Sequence, residues 1–182
     1  MAERTISGSF EEFAQSILAE KKAPEDIITL YMSSVDMLAT ALSGLTEADL
    51  DLARADGKWT IRQIVHHIVD GDDIWSVCIK SMIGNPGGAF ALDWYDQDSW
   101  VKAMEYQKRP INEALALFRA RRNHIAELLH HLPDPWEKGT RIVMRQIPEG
   151  LQWTVSFTVL LQVCHTLWHI EQIRETRQVH GR

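Results

Sequence analysis

Positive charge, cysteine and long apolar runs are all scarce in this 182-residue sequence, and each shortage closes off a class of protein. Nineteen lysines and arginines stand against 25 aspartates and glutamates, a formal net charge of -6. Nucleic-acid binders neutralise phosphates with a basic face, so neither DNA nor RNA is an expected partner. The two cysteines, Cys78 and Cys164, can pair only once and form no CxxC site, so both read as reduced core thiols. No run of about 18 apolar residues occurs, which removes a membrane-spanning helix from the expected architecture. The start, MAERTISGSFEEFAQ, lacks a basic stretch followed by an apolar one, and a cytoplasmic location is expected. Also missing are a G-x-S-x-G elbow, a Walker A loop, a dinucleotide fingerprint and H-E-x-x-H.

What the chain has is helical periodicity. Its length and its 45% hydrophobic content fit one globular domain spanning residues 1–182. A short helix is expected over Phe10 to Glu20. The first long one begins at Pro24, which suits an opening turn, with Glu25 and Asp26 facing the positive end of the macrodipole. Ile27, Leu30, Tyr31, Val35, Leu38 and Leu42 follow at helical spacing. A second long helix opens at Trp59 or Thr60 and runs to Met82, where GNPGG stops it. The loop AFALDWYDQDSW is long enough to cross one end of a bundle. A third helical stretch covers Ser99 to Leu132, kinked or broken at Pro110, with Leu115, Phe118, Ile125, Leu128 and Leu129 inward. Alternation at Ile142, Met144 and Ile147 suggests a small hairpin turning at Pro148 to Gly150. The last helix covers Val155 to Gln178. The expected fold is all-α: an antiparallel four-helix bundle with a short N-terminal helix and a small hairpin before the last helix.

The last helix carries VCHTLWHIEQI, two imidazoles in an apolar run. His165 and His169 differ by about 40° around the axis and lie stacked on one face with Thr158, Gln162, Gln172 and Thr176. Unsatisfied buried polar groups cost roughly 1 to 3 kcal/mol each, so the pair needs partners. One reading is a shared divalent metal, and the other is two hydrogen-bonded core histidines. The second helix offers His66 and His67. Its apolar positions, Ile61, Ile64, Val65, Ile68 and Trp75, centre near Ile68. His67 falls at the edge of that stripe and His66 points nearly opposite, toward water.

His130 and His131, in a last helical turn, suit the macrodipole. The acidic runs DGDD and DWYDQD read as solvated turns, with a metal ligand or general base as the alternative. Cys164 projects about 100° away from His165, which argues against a Cys/His nucleophile pair. Trp59, Trp75, Trp94, Trp100 and Trp168 are candidates to wall a pocket, with core packing the commoner role of aromatics in a bundle, and Trp168 or Trp94 is expected near the histidines.

The combination of WTIRQIVHHIVD after a tryptophan-led start, the Asp-rich YDQDSW and the final HTLWHIEQI resembles the DinB/YfiT-like superfamily of metal-binding four-helix bundles. The resemblance spans roughly Pro24 to Thr176, in order. It implies one metal histidine on the second helix and an H-x-x-x-H pair on the last, which map onto His67, His165 and His169, with His66 the alternative to His67. It also implies a divalent cofactor, a small-molecule substrate and a homodimer. The chemistry it implies is divided between bacillithiol- or mycothiol-type S-transfer, with a low-molecular-weight thiol as partner, and hydrolysis. Three imidazoles suit zinc, nickel or iron and leave coordination positions open, as a catalytic site requires. The leading expectation is therefore a metal-dependent transferase or hydrolase. Its rivals are a non-catalytic metal- or small-molecule-binding bundle, and a structural protein whose histidines are simply packed.

Overall fold

Thr60 decides where the second long helix starts. Its hydroxyl accepts from the Gln63 N–H while the Gln63 side chain accepts from the Thr60 N–H, a capping box that satisfies two donors at the helix N-terminus. The computed structural model describes residues 9–19, 22–145 and 147–182. Ser9 and Glu12 form a second capping box at α1 (Phe10–Leu18); the expected end of that helix at Glu20 lies outside the described residues. Pro24 opens α2 (Pro24–Leu42), and the Thr60 box opens α3 (Ile61–Gly84). Asp96 caps α4 (Gln97–Ala103), α5 follows (Asn112–His131), and Thr154 caps α6 (Val155–Val179). The stretch expected from Ser99 to Leu132 is thus two helices. The break precedes Pro110: Glu105 adopts a left-handed backbone at φ 50°, and a short 3-10 turn (Tyr106–Lys108) follows.

The chain is mostly helical, and the four long helices pack in the cyclic order α2, α6, α3, α5. Their directions differ from a simple antiparallel arrangement. Tyr31 meets Gln162 near the starts of α2 and α6, and Arg177 donates to the Ala41 and Ser43 carbonyls near their ends, so these neighbours run parallel. On α3, Met82 meets Thr158 and Gly71 meets His165, so α3 and α6 are antiparallel. His66 approaches Arg109 just before α5 and Asp72 meets Arg122 within it, so α3 and α5 are parallel. Parallel neighbours require a long crossover. The aromatic link between them supplies it: instead of crossing one end of the bundle, residues 85–111 run back along α3.

A small three-stranded sheet, ordered β1, β2, β3, adds to the helices. The hairpin is formed by β2 (Gly139–Met144) and β3 (Ile147–Thr154), but it reverses after Met144, which pairs with Ile147. Pro148–Gly150 instead lie in β3 where the register slips; Gly150 takes φ +77°, and a Cβ there would meet Arg141 Cγ at 2.7 Å. The third strand, β1 (Ala89–Ala91), pairs parallel with β2 inside the stretch expected to be loop. Three residues are too few to show a period.

The core falls into two apolar clusters, one around Tyr31, Ile79, Ile125 and Val159, the other around Leu38, Ile64, Phe118 and Ile173. On every long helix a buried polar residue separates the two: Ser34, Asp72, Arg122 and Thr166. Among the described residues no helix is long and apolar enough to cross a membrane.

Candidate metal centre

His67 lies on the second turn of α3, and His165 and His169 lie one turn apart near the middle of α6. The antiparallel packing of the two helices brings the three rings together, with centroids 4.6 to 4.9 Å apart. One ring nitrogen of each lies within 4.8 Å of the other two, and His67 Nε2 faces His165 Nε2 at 3.0 Å. Gly71 makes this approach possible. It sits one turn beyond His67, and a Cβ there would stand 3.3 Å from His165 Cε1.

The groups behind two of the rings can accept an Nδ1–H: the Gln172 oxygen can only accept, and the Tyr95 hydroxyl can accept as well as donate. His169 Nδ1 lies 3.0 Å from Gln172 Oε1 and His67 Nδ1 lies 3.4 Å from the Tyr95 hydroxyl. An Nδ1–H donating to each oxygen leaves the Nε2 lone pairs turned toward the cluster. Burial drives the three imidazoles toward the neutral form. It brings His169 down to about 4, with the Gln172 bond opposing and the positive charge of Arg54 assisting. His67 and His165 are pushed well below their ordinary value, again chiefly by burial and secondarily by neighbouring positive charge. Burial also raises the Tyr95 hydroxyl to about 12, so it stays protonated. The resulting donor set is three neutral nitrogens from two helices with no carboxylate among them, which fits a divalent cation.

The cluster forms one wall of a cavity of about 530 Å³. The loop 53–60, closed by a bridge between Ala53 and Thr60, contributes Arg54, Gly57, Lys58 and Trp59 to the lining. Gly57 turns that loop at φ +72°, a conformation that glycine adopts without strain. Trp59 lies 4.7 Å from the His67 ring and stacks on His169 at 6.3 Å. Phe10 of α1 and Trp168 meet edge to face over His165. Gln97 and Asp98, from the start of α4, also line it.

Several expectations change here. His66 is buried, not solvated: its Nε2 lies 3.3 Å from the Arg109 carbonyl and its ring packs on Tyr106. The returning link covers the face that periodicity had assigned to water, and it holds His66 away from the cluster. Trp168 lines the cavity as expected, but Trp94 does not; it is 52% exposed and packs with Tyr95 and Trp100. DGDD is not a solvated turn, because it lies within α3, where Tyr106 donates to Asp70 while Asp72 and Asp73 pair with Arg122 and Arg121. His130 and His131 are exposed at the end of α5, away from the cavity. Both cysteines are free and buried, each thiol raised to about 12 mainly by burial.

Gln172, Tyr95 and Gly71 were not singled out as site residues, and Trp59 stood only among the five candidate tryptophans. Gln172 had a signal, since it shares the face of His165 and His169. So did Gly71, because a glycine inside a helix costs about 1 kcal/mol relative to alanine and calls for a packing reason. Tyr95 had none, as its position depends on the crossover.

Residues 32–173 match the model of the DinB superfamily. A protein of Geobacillus thermodenitrificans named "Putative metal-dependent hydrolase" is 26% identical over 148 residues, 80% of this chain and 79% of the relative. The structure described as "YfiT from Bacillus subtilis is a probable metal-dependent hydrolase with an unusual four-helix bundle topology" superposes with a TM-score of 0.77 at 24% identity, covering 89% of this chain and 91% of the other. The structure of a mycothiol-dependent maleylpyruvate isomerase superposes with a TM-score of 0.65 at 11% identity, covering 92% of this chain and 63% of the other.

Proposed function

This chain belongs to the DinB superfamily, and on that premise we propose that it is a metal-dependent hydrolase that holds a divalent ion on His67, His165 and His169. The observation that carries the proposal is the convergence of three neutral imidazoles on one wall of an open cavity. A packed core histidine pair would need no such opening. The names of relatives similar over about four fifths of the chain support the hydrolytic class. Zinc, nickel and iron all suit the donor set.

Such an ion supplies Lewis acidity toward a carbonyl or phosphoryl oxygen and lowers the pKa of water. The protein's own groups do the rest. Gln172 and Tyr95 hold the imidazole protons at Nδ1 of His169 and His67, fixing both ring orientations. Trp59, Trp168 and Phe10 shield the cluster from bulk water and offer an apolar bed for substrate. Asp98 is the carboxylate among the described lining residues and the candidate general base.

A thiol-dependent transfer is the second reading, supported by the likeness of fold to the mycothiol-dependent isomerase. One panel decides between them: ester and amide hydrolysis, and thiol conjugation, each with metal-loaded protein and with His169→Ala. Hydrolytic turnover abolished in the variant is the expected result. Thiol conjugation alone would transfer the assignment, and no turnover in any assay would leave a non-catalytic binding protein.

A further inference from the structure

The cavity's lining contains two positive charges that the hydrolytic reading does not use. Among the described lining residues, Arg54 and Lys58 stand in the loop 53–60 on the same cavity as the three histidines, against the negative charge of Asp98. In a chain whose net charge is -6, this local excess of positive charge runs against the overall balance. Arg54 is not locked elsewhere. Its ion pair with Glu175 is long, 3.9 Å, and both partners are partly exposed, and pairs of that kind contribute little and exchange readily. Lys58 is exposed at the rim. Trp59, next to Lys58 in that loop, lies against the rings of His67 and His169, and Trp168 also lines the cavity, an apolar surface that inorganic anions would not use.

We propose that the cavity selects an organic acid: a small molecule with a planar or apolar body, whose carboxylate is held by Arg54 and Lys58 while its reacting end lies at His67, His165 and His169. The inference deepens the proposed function and rests on it for the reacting end only. The all-imidazole donor set reinforces the preference, because it brings no negative charge of its own to the cavity. Arginine suits the role through its planar, bidentate fit to carboxylates, and lysine adds a mobile point charge.

The test measures binding rather than turnover. Isothermal titration of 3-phenylpropanoate and of its neutral isostere 3-phenylpropanamide is carried out on metal-free and zinc-loaded protein, with zinc content determined in the same preparations. In metal-free wild type the acid should bind about tenfold tighter than the amide, the equivalent of one charge-assisted hydrogen bond. The double variant Arg54→Gln/Lys58→Gln should reduce that ratio to about twofold or less, and Lys58→Gln alone, at an exposed position, should reduce it part of the way. Circular dichroism of both variants checks that the fold is retained. Equal affinity for acid and amide in wild type, no binding of either, or a ratio that survives the double variant would overturn the proposal. A preserved ratio in protein that takes up no zinc would uphold the organic-acid site while removing the metal reading, so the two stand or fall separately.

Discussion

Two buried polar assemblies adjoin each other on the same helices and end differently. Around Arg122, every nitrogen of the guanidinium is answered from within the protein. Nε lies 3.0 Å from Asp72, one terminal nitrogen reaches the Tyr31 carbonyl and Ser34, and the other reaches Asp72 and Thr166, while the rings of Tyr31 and Phe118 cover its faces. Around His165, which directly precedes Thr166, the imidazoles are held from behind by Gln172 and Tyr95 but turn their remaining nitrogens toward one another and the cavity. The first assembly ties the four long helices together and faces no cavity, although Asp72 Oδ2 has no hydrogen-bond partner among the described residues. The second is left open on one side, and that is what separates a binding site from a structural network.

The comparison breaks most sharply under Arg122→Met. The substitution leaves Asp72 buried without its countercharge, and chemical denaturation should show a loss of about 3 to 5 kcal/mol, with metal content per folded molecule unchanged. His169→Ala should do the reverse. Removing one of three ligands should weaken zinc binding by roughly hundredfold or more in competition titrations, with a smaller loss of metal-free stability. Gln172→Leu tests the support behind that ring and should weaken zinc by roughly 10- to 100-fold, as outer partners of metal histidines do. Gly71→Val pushes on His165 from α3, and we expect about tenfold weaker zinc with the other two ligands untouched.

A further test needs no substitution: the effect of pH on the metal-free protein. The folded state resists protonation of the cluster, with His169 at about 4, whereas the unfolded chain takes up those protons near 6.5. Stability is therefore full above about 6.5 and declines as pH falls toward 4, which urea titrations across that window would follow. A flat profile would mean that these imidazoles are not kept neutral by burial.

Much of this architecture was legible in the sequence because it is written in short spacings. The Pro24 start, the GNPGG stop and the 3.6-residue periods placed α2, α3 and α6 nearly to their ends, and the i, i+4 pair on α6 put His165 and His169 on one face. Periodicity failed where a second element covers a face. His66 looked solvated because nothing in α3 announces that residues 85–111 return along it, and the same crossover brings Tyr95 to His67. Arg122 occupies the inward stripe of Phe118, Ile125 and Leu129, a position that marks it as buried, but its partners come from three other helices and leave no local trace. Arg54, Lys58 and Trp59 belong to a loop whose position is set by the bridge from Ala53 to Thr60, a contact without a sequence pattern of its own.

The central claim is that His67, His165 and His169 hold one divalent ion, and anomalous scattering tests it most directly. Crystals of untagged protein loaded with zinc, measured on either side of the zinc absorption edge, should show a single strong peak among the three imidazoles that is absent from His169→Ala crystals. Loaded crystals with no peak at the cluster, or with their peaks only at surface carboxylates and the exposed His130 and His131, would contradict the account.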